Sequence, residues 1–167
     1  MTTVAYAAVT QSGLSFDRQL WMRPEIIPGL RRLTDAIHAE GAAAGIQLGH
    51  CGNMSHKSIC GCMPVGASSG FNLYSPTFVR GLRADELPEM ARAYGRSVNL
   101  AREAGFDSVE IHAGHGYLIS QFLSPSTNHR KDEFGGSLQN RMRFMDMVME
   151  EVMKAAGSDM AVLVKMK

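Results

Sequence analysis

The sequence predicts an α/β protein in which a parallel sheet is covered by helices. Three observations carry that expectation. Short apolar runs without clear alternation recur along the chain, segments of helical period separate them, and loop-forming polar residues gather just after the second and third runs.

The first run, residues 3–9 (Thr-Val-Ala-Tyr-Ala-Ala-Val), reads as a buried strand that Gln11-Ser12-Gly13 breaks. Pro24 suits the first turn of a helix with Ile27, Leu30, Leu33, Ile37 and Ala42 on its apolar face, and Gly41 is placed to stop it. A second strand over 43–48 leads into Gln47-Leu48-Gly49-His50. Roughly 35 residues follow with frequent Gly, Ser, Cys and Pro and no sustained period, the mark of a long loop that carries function.

Leu87, Met90, Ala91, Tyr94, Val98 and Ala101 then form a stripe at helical spacing, with Asp85 as a candidate cap and Gly105 beyond the end. Ser108-Val109-Glu110-Ile111-His112 is the third strand. After a polar loop around Asn128 to Gly136, Ser137 caps a helix reaching about Ala156, and Val162-Leu163-Val164-Lys165 is the fourth strand. Met142, Met145, Met149 and Met153 recur at three- and four-residue steps in that helix and read as adaptable core filling.

Both a doubly wound sheet and a (β/α)8 TIM barrel share this order. No Gly-x-Gly-x-x-Gly follows any strand, and polar chemistry after strands two and three suits a barrel. The outer strands lie close to the two ends of the sequence, which would leave both sheet edges uncovered. A closed barrel takes about 250 residues. The expectation is therefore one domain, 1–167, forming a partial barrel of about strands 2 to 5 and truncated at both ends.

Composition agrees with a globular protein: 45% hydrophobic residues, 20% charged residues and a net charge of +1. This profile implies neither a nucleic-acid surface nor an anionic membrane. No apolar run approaches a membrane span and the first residues lack the basic start of a secretory signal, so a cytoplasmic location is expected. Cys51, Cys60 and Cys62 are an odd set without a Cys-x-x-Cys pair, and read as free thiols in a reducing compartment.

The chemistry concentrates in His112, His115 and Tyr117, at the end of the third strand and in the loop beyond it. Two imidazoles three residues apart can direct N–H donors at one oxygen, while a nearby phenol can give a proton to carbon. Such a trio suits reduction of a double bond conjugated to an electron-withdrawing group. Taken alone, His-x-x-His is a weak signal: it serves commonly as a loop brace and far less often, with a cysteine, as a metal site, since no Glu follows at the spacing zinc hydrolases use.

The stretch from Ile111 to Ile119, then Gln121-Phe122-Leu123-Ser124-Pro125, then Asn128 to Arg141, closely resembles the signature of the Old Yellow Enzyme family, FMN-dependent NADH:flavin oxidoreductases and NADH oxidases. The resemblance extends over the chain, including Ala36 to Gly41 and Gln47 to His50. It implies that His112 and His115 bind the activating oxygen of a substrate and that Tyr117 donates the proton opposite the flavin hydride. It also implies that Gln47 bonds the polar edge of the flavin ring, that Lys165 stands where the family places a basic residue, usually arginine, and that a main-chain flavin contact lies near Tyr6.

The chain departs from the family after His50. Cys51-Gly52-Asn53-Met54 lacks the charges relatives carry there. Asn128, Arg130, Asp132 and Arg141 are expected to lock their loop rather than to take part in chemistry. By resemblance, the function is transfer of hydride from NAD(P)H through FMN to an activated alkene, an enone or a similar small molecule; the sequence leaves open whether the full-length enzyme is a monomer or a homo-oligomer. An iron–sulfur cluster, found beyond the barrel in larger relatives, would lie outside this chain. The FMN phosphate is held in the family by strands absent here, which leaves a second reading: a non-catalytic segment that cannot retain FMN alone.

Overall fold

The structure, a computed structural model, describes residues 1–166. Four strands, β1 (Thr2–Ala8), β2 (Ala44–Gly49), β6 (Ser108–His112) and β7 (Ala161–Lys165), form one sheet in that spatial order, every pair parallel. Sequence neighbours are spatial neighbours throughout. The order never reverses, as it would at the switch point of a doubly wound sheet.

Three long helices, α1 (Ile27–Ala39), α3 (Leu87–Glu103) and α5 (Leu138–Ala156), make the crossovers and cover one face. Val98 and Ala101 of α3 and Phe144, Val148 and Val152 of α5 are fully buried with Ile46, Leu48, Val109 and Ile111 of the sheet. Full burial of each large side chain contributes about 1.5–3 kcal/mol. The alternate strand residues, Gln47, Glu110, His112, Leu163 and Lys165, share the opposite, concave face. Among the described residues no helix is long and apolar enough to cross a membrane.

Several local expectations change. Asp85 does not cap α3; its carboxylate pairs with Arg83 at 3.1 Å, and Glu86 accepts the Arg83 backbone N–H at 2.8 Å instead. Leu33 is 40% exposed, whereas Thr34 is buried and donates to the Ala104 carbonyl at 2.6 Å. On α5, Met142 and Met153 are exposed, and Phe144, Val148 and Val152 form the seam. The long loop after β2 contains α2 (Lys57–Cys60) and a small sheet of β3 (Val65–Gly66), β4 (Gly70–Asn72) and β5 (Thr77–Gly81), ordered β3-β5-β4. A further short helix, α4 (Leu118–Leu123), follows the third barrel strand, with Pro125 just beyond its end.

Candidate active site

His112 ends β6, level with Lys165 on β7 and beside Gly49 of β2. A Cβ on Gly49 would stand 3.0 Å from the Tyr6 ring and 3.2 Å from His112 Cβ, so glycine there allows both side chains to close over the strand. The Tyr6, His112 and Tyr117 rings consequently form one cluster, with centroids 4.9 Å apart for His112 and Tyr117 and 5.3 Å for Tyr6 and Tyr117. His115 has φ +56, a left-handed conformation that histidine adopts more readily than most residues. This turn brings its Nδ1 to 3.1 Å from His112 Nε2.

That contact alters the expectation of two converging donors. Two neutral imidazoles carry two N–H groups, and the bond between the rings uses one of them. Whichever tautomers are present, the pair in this arrangement presents one free N–H. His112 Nδ1 is buried and has no hydrogen-bond partner, so one polar atom of the cluster is left for a group outside the chain.

Gln47 and Tyr6 are expected at the site, whereas nothing in the sequence signals the supporting roles of Gln121 and Glu110. Gln47, buried on the concave face, donates its amide to the Glu110 carboxylate one strand away. Gln121, on the buried side of α4, donates to the carbonyls of Cys51 at 3.2 Å and Gly116 at 2.6 Å, joining the loop after β2 to the histidine loop. His50 accepts the Gly52 N–H at Nδ1, 3.0 Å away, which leaves its Nε2–H to donate to Ser12 Oγ at 3.0 Å. Tyr6 reaches the cluster through its ring; its hydroxyl donates to Gly13 O at 2.9 Å and its carbonyl accepts Gln19 Nε2 at 3.1 Å. The only groups Gln121 offers a sequence reader are a polar side chain among Leu118, Ile119, Phe122 and Leu123.

Burial pulls His50 down to about 3, and burial, reinforced by His115 and Lys165 against the opposing Glu110, pulls His112 down to about 4. Both rings are neutral at neutral pH, whereas in the unfolded chain they protonate near 6.5. The stability that depends on neutral rings is therefore complete above pH 6.5 and is lost as pH falls below it. Each ring adds a slope approaching about 1.4 kcal/mol per pH unit until its folded value is reached. Urea midpoints measured between pH 7 and pH 5 should fall steeply, and His50→Gln should flatten the slope whatever its effect on stability at pH 7; an unchanged slope would refute the assignment.

The geometry at the strand ends coincides with a family match over residues 1–167. The chain belongs to the NADH:flavin oxidoreductase / NADH oxidase family. It is 41% identical over 165 residues to 4,4'-dithiodibutanoate disulfide reductase of Rhodococcus erythropolis, covering 99% of this chain and 41% of that one. It is 39% identical over 150 residues to NADPH dehydrogenase of Bacillus subtilis strain 168, covering 89% and 44%.

Among solved structures, an old yellow enzyme homologue from Zymomonas mobilis superposes with a TM-score of 0.90 at 32% identity, over 97% of this chain and 49% of that one. Morphinone reductase in complex with tetrahydroNAD gives 0.89 at 28% identity, over 97% and 50%. The chain thus spans half or less of the length of these relatives. Their likeness makes the parallel sheet part of a TIM barrel, as the strand order predicts.

The residues on the concave face fit part of a flavin. Gln47 supplies an amide, Lys165 a cation, and His112 an unpartnered ring nitrogen, on three adjacent strands that could meet the polar edge of a planar ring and the oxygen of a substrate above it. The signature loop is structural in this family member. Asn128 Nδ2 donates to Phe122 O at 2.7 Å and Phe134 O at 2.8 Å, and Arg141 Nε donates to Leu123 O at 2.7 Å. Among the described residues, no three His, Cys, Asp or Glu side chains gather as a metal site.

Proposed function

We propose that the chain is the substrate-activating segment of an FMN-dependent oxidoreductase that passes hydride from NAD(P)H to an activated alkene, an enone or a similar small molecule. The observation that carries this reading is the His112, His115 and Tyr117 cluster at the carboxyl end of a barrel strand. A bound FMN would supply the hydride-transfer chemistry between nicotinamide and acceptor.

In this reading His115 donates from Nδ1 to His112 Nε2, and the one free N–H of the pair, on His112 Nδ1, holds the acceptor's oxygen. The neutral His112 ring polarises it by hydrogen bonding, drawing electron density away from the carbon that accepts hydride. Tyr117 gives its hydroxyl proton to the neighbouring carbon. Gln47 would hold a bound flavin ring by its amide, and Lys165 would supply a cation to balance negative charge on it. A contact from Tyr6 is the ring packing that fixes Tyr117. The three cysteines without disulfides support a cytoplasmic setting.

A second reading, that this length of chain does not retain FMN by itself, is favoured by its span of half or less of its relatives and by the lack of an assigned phosphate site. Titrating the purified 167-residue chain with FMN, followed by desalting, separates the two. Loss of the flavin's visible band on desalting is expected. A stoichiometric, retained band overturns the second reading and makes the chain self-sufficient for cofactor binding.

A further inference from the structure

Outside the barrel face, Cys60 and Cys62 form a second chemically distinct site. Cys60 is the last residue of α2 and is buried; Cys62 is exposed. Gly61 between them has φ +74, the left-handed conformation that ends the helix and turns the chain back, and glycine takes it without the strain other residues incur. The two sulfurs stand 3.6 Å apart, and Cys60 donates to the Cys62 carbonyl at 3.1 Å. Bond formation needs the sulfurs to close from 3.6 Å to about 2 Å.

Cys62 also lines a cavity of about 600 Å³ beside Met63, Arg80 and Arg83. The cavity's cations are paired, Arg80 with Glu86 at 2.6 Å and Arg83 with Asp85 at 3.1 Å, so it admits a small molecule without selecting strongly for its charge. One accessible sulfur, one shielded sulfur within reach of it and an open approach are the parts a thiol–disulfide exchange requires.

We propose that Cys60 and Cys62 are a reversible dithiol that closes to an intrachain disulfide by exchange with a low-molecular-weight disulfide. The Cys62 thiolate attacks one sulfur of the small disulfide, forms a mixed disulfide and releases one small thiolate, which takes up a proton. The Cys60 thiolate then attacks the Cys62 sulfur and releases the second small thiolate, which is likewise protonated. Two protein thiols are oxidised to one disulfide as one small disulfide is reduced to two thiols, with two electrons and two protons conserved. Partial burial first, and the neighbouring Cys60 next, push the Cys62 thiol up to about 11, so its attacking thiolate grows as pH rises above neutral. The exchange is accordingly favoured in mildly alkaline solution.

The test is independent of flavin. The full chain is incubated with glutathione disulfide at mildly alkaline pH, quenched in acid, denatured, alkylated and digested with trypsin. In the peptide Ser58 to Arg80, which holds both residues, mass spectrometry should show loss of two hydrogens and neither alkyl groups nor glutathione, and dithiothreitol should restore two alkylatable thiols. Cys60→Ser should stop at one glutathione on Cys62, and Cys62→Ser should leave Cys60 unmodified over the same time. Two alkylated cysteines after treatment of the unmodified chain, a lasting glutathione adduct on Cys62 or a disulfide between chains would each overturn the proposal, even if neither variant folds.

Discussion

Tyr117→Phe, made in an enzyme that carries this segment and its full barrel, should slow turnover of an activated alkene by about 10²- to 10⁴-fold. Reduction of the flavin by NADPH should be unchanged. The substitution removes one oxygen and keeps the ring that packs 4.9 Å from His112 and 5.3 Å from Tyr6, so the cluster has no reason to rearrange. Among the described residues the Tyr117 hydroxyl makes no hydrogen bond, and its loss therefore breaks no contact within the chain. The oxygen contact proposed for His112 should be retained, which keeps acceptor affinity close to its original value. Stopped-flow measurement of the two half-reactions reads the two effects separately. Equal alkene turnover by both proteins would remove Tyr117 from the proton step, and a loss in both half-reactions would point to disturbed flavin binding.

The parts of the fold that could be read from the chain are those governed by period and by capping. β6 lies at Ser108–His112 as the apolar run indicates, and Ser137 accepts the Asn140 N–H at 3.2 Å to start α5. Parallel order follows from apolar runs that alternate with helical segments; β2 is buried on both faces, whereas the edge strands β1 and β7 are largely exposed or half-buried. Thr34 shows where a pattern of apolar residues misleads: its hydroxyl satisfies a carbonyl of the neighbouring helix end, which lets a polar residue take the buried position and turns Leu33 outward.

In the small sheet after β2, β3 and β4 have two and three residues, too short for any periodicity to register, and the five of β5 (Thr77–Gly81) contain no sustained apolar run. At the site, residue types and order identify His112, His115 and Tyr117, but the bond between the two imidazoles depends on the left-handed turn at His115, which the sequence does not display. Gln121 and Glu110 act through partners about 60 to 70 residues away in the chain, and only the assembled barrel brings those partners together.

Arg130→Ala should cost about 3 kcal/mol of stability, a loss out of proportion for a loop residue. The Arg130 side chain is 8% exposed although it is charged. Its guanidinium holds Asp132 through two bonds, of 2.9 and 2.5 Å, and donates to the carbonyls of Ala67, at 3.0 Å, and Leu82. It also lies near the Phe122 and Phe134 rings, 5.5 and 5.8 Å from their centroids. One side chain thus ties the signature loop to the residues just beyond β3 and β5 of the small sheet.

Removal strands two carbonyls and leaves the Asp132 carboxylate, which Arg130 holds below the usual carboxylate range, without its cation. Asp132 is 34% exposed, so water offsets part of the loss and the cost falls at the lower end for a broken buried pair. Arg130→Lys cannot restore the network, because an ammonium lacks the planar fork that meets the carboxylate and both carbonyls together. Urea denaturation of the two variants should place Lys close to Ala. A lysine variant as stable as the parent would mean that charge alone suffices and that the fork geometry contributes nothing.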